Sequence, residues 1–234
     1  MSHLHIPDGV LPFPVWIAGL LVAAAVLFLC TRGGEHTGPK PIALQSALGG
    51  VMLVIMAVPV PITAFDYCMT LAGPVGVLLG AAGALQVSFV VTLILALMGQ
   101  GGFTVIGLNT LVLGAGAAIA RPAYLALVRP LKPAGAMAAA TAVSQLFSSL
   151  LWVALLWLSV RLSPSLGADH EIAHGLRWLQ GGVLVAVLLP LLGVAVGIES
   201  LLGYGLARFL DRVRPDLLPR RAGEATVSGE AAQP

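Results

Sequence analysis

The stretch Met69-Thr70-Leu71-Ala72-Gly73-Pro74-Val75-Gly76-Val77-Leu78-Leu79-Gly80-Ala81-Ala82-Gly83-Ala84-Leu85-Gln86-Val87-Ser88-Phe89-Val90-Val91-Thr92-Leu93-Ile94-Leu95-Ala96-Leu97-Met98-Gly99 decides the fold, and it carries no charge anywhere. One helix crosses a bilayer core with about 20 apolar residues. This run is too long for a single upright helix, and the small residues from Gly80 to Gly83 soften its middle. It is therefore expected to form two short spans that meet near Ala82. Working outward, further apolar runs extend from Pro12 to Cys30, Pro41 to about Pro59, Thr104 to about Val128, Ala134 to Val160, and Leu179 to about Leu206. Together they predict an all-α polytopic membrane bundle of six to seven transmembrane helices. No heptad or longer repeat is present, and the wealth of alanine and glycine favours close helix packing over a coiled coil.

Composition leads to the same solvent. Of 234 residues, 58% are hydrophobic and 9% charged, whereas an ordinary soluble domain has roughly 25% charged residues. A water-facing surface cannot be assembled from this chain. The two cysteines, Cys30 and Cys68, give no sign of a disulfide framework.

Lysine and arginine concentrate in cytoplasmic loops, which tests orientation. With the N-terminus outside, the inner segments hold Arg32 and Lys40, then Arg121, Arg129 and Lys132, then Arg208, Arg212, Arg214, Arg220 and Arg221, ten of the twelve basic residues. Only Arg161 and Arg177 fall outside. The expected organisation is an extracytoplasmic arm over residues 1–11, a transmembrane bundle over 12–214, and a cytoplasmic, disordered tail over 215–234. Arg208 to Arg221 are expected to anchor the last helix at anionic lipid; nucleic acid is not an expected partner. No basic region precedes the first run and no small-residue cleavage pattern follows it, so the arm is expected to be retained.

That arm reads Met1-Ser2-His3-Leu4-His5-Ile6-Pro7-Asp8-Gly9-Val10-Leu11-Pro12. One reading is a solvated arm in which Pro7-Asp8-Gly9 turn. The other is a metal site, because an α-amine, an amide nitrogen and an imidazole can wrap one ion in adjoining chelate rings, a nitrogen set suited to Ni²⁺ or Cu²⁺. Binding would then compete with protons. The chain has no G-x-x-x-x-G-K-[ST] motif, and no paired carboxylates or serine with a base lie inside a helix, so neither ATP hydrolysis nor intramembrane catalysis is expected.

His5-Ile6-Pro7-Asp8-Gly9-Val10-Leu11-Pro12 resembles the opening motif of the CbiM/NikM family, the substrate-binding (S) components of energy-coupling-factor transporters for cobalt and nickel. Gly101-Gly102-Phe103-Thr104-Val105-Ile106-Gly107-Leu108-Asn109-Thr110-Leu111-Val112-Leu113-Gly114 resembles a second family segment, and Leu71 to Gly80 is similar in character to the family's third helix. The resemblance implies that Co²⁺ or Ni²⁺ is the transported substrate, with cobalamin biosynthesis as one implied use. It also implies a transmembrane coupling protein, two ATPase subunits and, in some systems, a small accessory membrane protein as partners. In the family the N-terminal loop inserts into the bundle, and metal is held by the terminal amine, the following histidine and a histidine in the loop before the third helix.

Carried over to this sequence, His5 matches the first histidine. Three residues precede Leu4, so the family's initiator methionine falls on Leu4. Either translation starts at Leu4, or removal of Met1 leaves the Ser2 amine beside His3, or the site uses imidazole alone. The loop Pro59 to Met69 has no histidine; Cys68 aligns best with the missing ligand and Asp66 stands beside it. The bland alternatives are a small buried hydrophobe for Cys68 and a loop carboxylate or helix cap for Asp66. Asn109 and Gln86 are read first as helix-to-helix hydrogen-bonding groups, and Asn109 and Asp8 are also candidates for groups that support the ligands. Asp169, His170, Glu171 and His174 are read as a solvated loop. The rival functions are a component or permease for an organic substrate such as a vitamin, and a membrane assembly protein without transport.

Overall fold

The computed structural model describes residues 11, 13–32, 39–58, 60–62, 65–162 and 182–219. Among the described residues five helices carry the fold: α1 (Phe13–Arg32), α2 (Pro39–Ala57), α3 (Ala72–Leu97), α4 (Ile106–Leu162) and α5 (Gly182–Val213). Four contain stretches long and apolar enough to cross a membrane, and Ile42–Ala57 in α2 is a shorter apolar helix. Between α2 and α3 two short antiparallel strands, β1 (Val60–Ile62) and β2 (Phe65–Tyr67), pair Pro61 with Asp66. The expected loop there is thus a hairpin. A short 3₁₀ turn, Pro215–Leu217, follows α5 and brings Leu218 into the bundle beside Leu78, Ala207 and Leu210. Ordered backbone therefore runs past residue 214, where the sequence led us to expect the tail to begin.

Local chemistry sets the breaks. Lys132 stands at φ 58°, ψ 168° inside α4, between Pro130 and Pro133. A residue before proline is driven out of the helical region, so α4 is a hairpin of two limbs rather than one 57-residue rod. The limbs pack antiparallel: Ser148 Oγ donates to the Val112 carbonyl at 3.0 Å, and Ala120, Tyr124, Met137 and Ala140 share one cluster near the turn. The two limbs match the two helices expected over 104–128 and 134–160.

The run that decides the fold is also folded back on itself. Gly80 sits at φ 74°, ψ −179°, a conformation essentially reserved for glycine. On one side of it, Leu85 packs on Gly114 and Thr92 Oγ1 bonds Thr110 Oγ1 at 2.9 Å. On the other, Gly76 lies against the Ala117 backbone and Thr70 approaches Gln145. Walking away from Gly80 in either direction leads toward the same end of the bundle, so 72–79 and 81–97 are antiparallel limbs. The expected division near Ala82 occurs two residues earlier, at the residue able to make the turn.

The packing is inside-out relative to a soluble protein. Leu21, Phe28 and Leu29 of α1, Leu150 and Trp157 of α4, and Leu189, Leu201 and Phe209 of α5 are exposed, while Thr70, Ser88, Thr92, Asn109, Thr110, Thr141, Ser144, Gln145 and Glu199 are buried. With helices satisfying their own backbone groups and apolar side chains outward, the molecule is an integral membrane protein.

Candidate functional site

One end of the bundle gathers the elements that flank the N-terminal arm. Leu11 is buried against Val105 and Leu108 at the start of α4, with Val15, Trp16, Trp152 and Leu155 around them. Gly19 of α1 faces Leu108, and Gly107 faces the Leu20 backbone, so α1 and α4 approach closely there. The last described residue of the arm region is thereby fixed beside the α4 turn that carries Asn109, itself only 3% exposed. Asn109 donates its backbone N–H to the Val105 carbonyl at 2.9 Å. His3, His5 and Asp8 lie outside the described residues, as do Asp169, His170, Glu171 and His174.

The chain enters the bundle from the strand hairpin. Asp66 is in β2 opposite Pro61. Cys68 follows directly, is 4% exposed and forms no disulfide. Residues 68–71 are extended or turning rather than helical, and Leu71 adopts the left-handed conformation at φ 51°, ψ 17° before the first limb of α3 begins. A non-glycine residue there is uncommon, so something must hold the segment in place.

Glu199 of α5 does so. Its side chain is 0% exposed. The Thr70 backbone N–H donates to Oε1 at 2.7 Å, and the Thr70 hydroxyl lies 3.0 Å from Oε1 and 3.1 Å from Oε2. That hydroxyl accepts from the Ala72 N–H at 3.3 Å and stands 3.4 Å from the Gln145 Oε1. One carboxylate thus spans 129 residues of sequence to grip Thr70 at the start of a half-helix, where the helix dipole favours negative charge. Interrupted helices with polar ends at membrane depth are a recurrent way of building transport sites.

Gln145 lies about two helical turns, roughly 10 Å, from Trp152 on the same limb, so the Thr70–Glu199 cluster is deeper than the Leu11 cluster. Cys68 precedes Thr70 on the side of the strand hairpin. Among the described residues no group of three or more histidine, cysteine, aspartate or glutamate side chains could hold an ion. Glu199, Thr70 and Gln145 were not anticipated from sequence. The available signal was a lone carboxylate inside the apolar run 179–206, because ionisable groups in spans are costly and mark functional positions. Gln86 fulfils its expected role, accepting from Gln45 Nε2 at 3.2 Å between α2 and α3. Gly114 serves an internal contact with Leu85.

At the opposite end, a cavity of about 480 Å³ is lined by Leu78, Arg121 and residues 215–219. Arg214 and Asp216 pair beside it at 2.9 Å, and the hydrogen bond to the guanidinium lowers the Asp216 pKa below its ordinary value.

Two comparisons bear on the arrangement. A family model described as a cobalt uptake substrate-specific transmembrane region matches residues 5–217, starting at His5. No curated protein matches the chain.

Proposed function

The chain belongs to the CbiM family of cobalt uptake transmembrane regions, and on that premise we propose that it is the metal-binding component of an energy-coupling-factor ABC importer. The observation that carries this reading is the convergence at one end of the bundle: the arm anchors through Leu11 beside Asn109, and the Cys68–Leu71 segment enters the interior from the strand hairpin. His5 and Cys68 are the proposed ligands, with Asp66 as the neighbouring alternative to Cys68, His3 contributing if the chain starts at Ser2, and Asp8 and Asn109 in support.

Cobalt is the first choice of substrate, and a thiolate in place of an imidazole keeps nickel as the second, since both accept nitrogen and sulfur ligands. Counting each limb of α3 and α4 as one pass gives seven passes, with the N-terminus outside and Arg208 and Arg212 of α5 inside, consistent with the distribution of basic residues. The sequence offers no phosphate-binding loop, so the ATPase subunits and a coupling membrane protein are proposed partners, with the cavity end of the bundle turned toward them.

The test is elemental analysis and cobalt uptake with purified or reconstituted protein. His5→Ala is expected to abolish cobalt retention while membrane insertion persists, and Cys68→Ala to weaken binding or change the preferred metal. Undiminished cobalt in His5→Ala sinks the site. A wild-type Cys68→Ala with a defective Asp66→Ala moves the second ligand to Asp66.

A further inference from the structure

We infer that Glu199 is a positioning residue for the metal site: through Thr70 it holds the Cys68–Leu71 segment so that the Cys68 thiolate faces the ion. The inference rests on the reading of Cys68 as a ligand. Both Glu199 oxygens are engaged with Thr70, one by its N–H at 2.7 Å and both by its hydroxyl at 3.0 and 3.1 Å, so the carboxylate acts on the Cys68–Leu71 segment.

Stability alone is a poor reason for this choice. Burying a carboxylate carries a desolvation cost that well-packed apolar residues avoid. What a carboxylate adds is direction. It fixes the backbone and the side chain of Thr70 together, and the Thr70 hydroxyl in turn accepts from the Ala72 N–H at 3.3 Å. Leu71, between them, is thereby kept at φ 51°. With Thr70 to Ala72 immobilised from α5, the orientation of the chain at Cys68, two residues upstream, is set by α5 as well. Groups that orient metal ligands in this way change affinity by about 10–100-fold when replaced.

The experiment uses the full chain in detergent or nanodiscs with Cys30→Ser, leaving Cys68 as the only thiol. Two quantities are read: the alkylation rate of Cys68 without metal, and Co²⁺ affinity followed by the cobalt–thiolate charge-transfer absorption. Glu199→Gln and Thr70→Val are expected to alkylate several-fold faster, to bind Co²⁺ about 10-fold or more weakly, and to lose thiolate absorption per bound ion. Thr70→Ser, which keeps the hydroxyl, is expected to restore wild-type values in all three. Should Glu199→Gln not fold, the Thr70→Val and Thr70→Ser pair decides alone. Wild-type alkylation, affinity and absorption in Thr70→Val overturn the inference. The ligand reading fails separately: if Cys68→Ser binds Co²⁺ as the wild type does, Cys68 is no ligand, whatever Glu199 does.

Discussion

At the scale of single residues, the contacts that define this bundle are small groups admitting close backbones and polar groups admitting none but specific partners. Gly76 lies directly on the Ala117 carbonyl, and any β-carbon there meets main chain that cannot step aside. Gly76→Ala is expected to destabilise the protein by about 1–3 kcal/mol, read as a lower midpoint of thermal unfolding in detergent. Gly197→Ala is the control, since none of the described residues beyond its own helix turn lies within 4 Å of that position, and its expected effect is a small gain of about 0.5–1 kcal/mol from helix propensity. This scale was the least legible in the sequence. Gln86 was recognised as an interhelical group because an amide in an apolar run needs a partner. Glu199, within the run 179–206, satisfies the same criterion more strongly, but its partner Thr70 is an unremarkable residue far away in sequence. Pairing across that distance is a property of the tertiary structure.

At the scale of elements, chain breaks matter more than helix ends. Lys132 occupies φ 58°, ψ 168° without being glycine, a strained geometry that the α4 hairpin imposes. Lys132→Gly is expected to stabilise the protein by about 1 kcal/mol, with a raised unfolding midpoint and unchanged cobalt affinity; a lowered midpoint contradicts the strain. The hairpin itself was legible, since Pro130 and Pro133 flank a basic residue between two apolar runs. The fold-back of α3 was legible to within two residues, because too many apolar residues for one crossing leaves few other solutions. The strands Val60–Ile62 and Phe65–Tyr67 were not, since Pro59 and Pro61 argue against regular pairing and segments of three residues carry no period. α5 runs to Val213 rather than ending near Leu206: its last turns keep Ala207 and Leu210 buried while Arg208 and Arg212 stay exposed, so the helix outlasts its apolar run.

At the scale of the whole molecule, the described residues offer no complete ligand set, and the proposed site draws on the arm, the strand hairpin and the bundle together. Imidazole, amine and thiol all bind metal in their deprotonated forms, so protons compete with the ion. Their ordinary pKa values lie between about 6.5 and 8.5. Cobalt affinity is therefore expected to fall as pH is lowered from about 8 to about 6, by up to about tenfold per pH unit for each proton displaced; titrations across that range check it, and a flat profile excludes the proposed ligands. The buried Glu199 also bears on how the molecule is made. A carboxyl group near the middle of a hydrophobic helix resists partition from the translocon by about 2.5–3.5 kcal/mol. Because synthesis runs from the N-terminus, Thr70 is made before α5, and its N–H and hydroxyl are the donors that meet Glu199 in the folded bundle. The order of synthesis thus places the partner of Glu199 ahead of α5, so the cost of that carboxylate in a hydrophobic helix is offset by a residue already made.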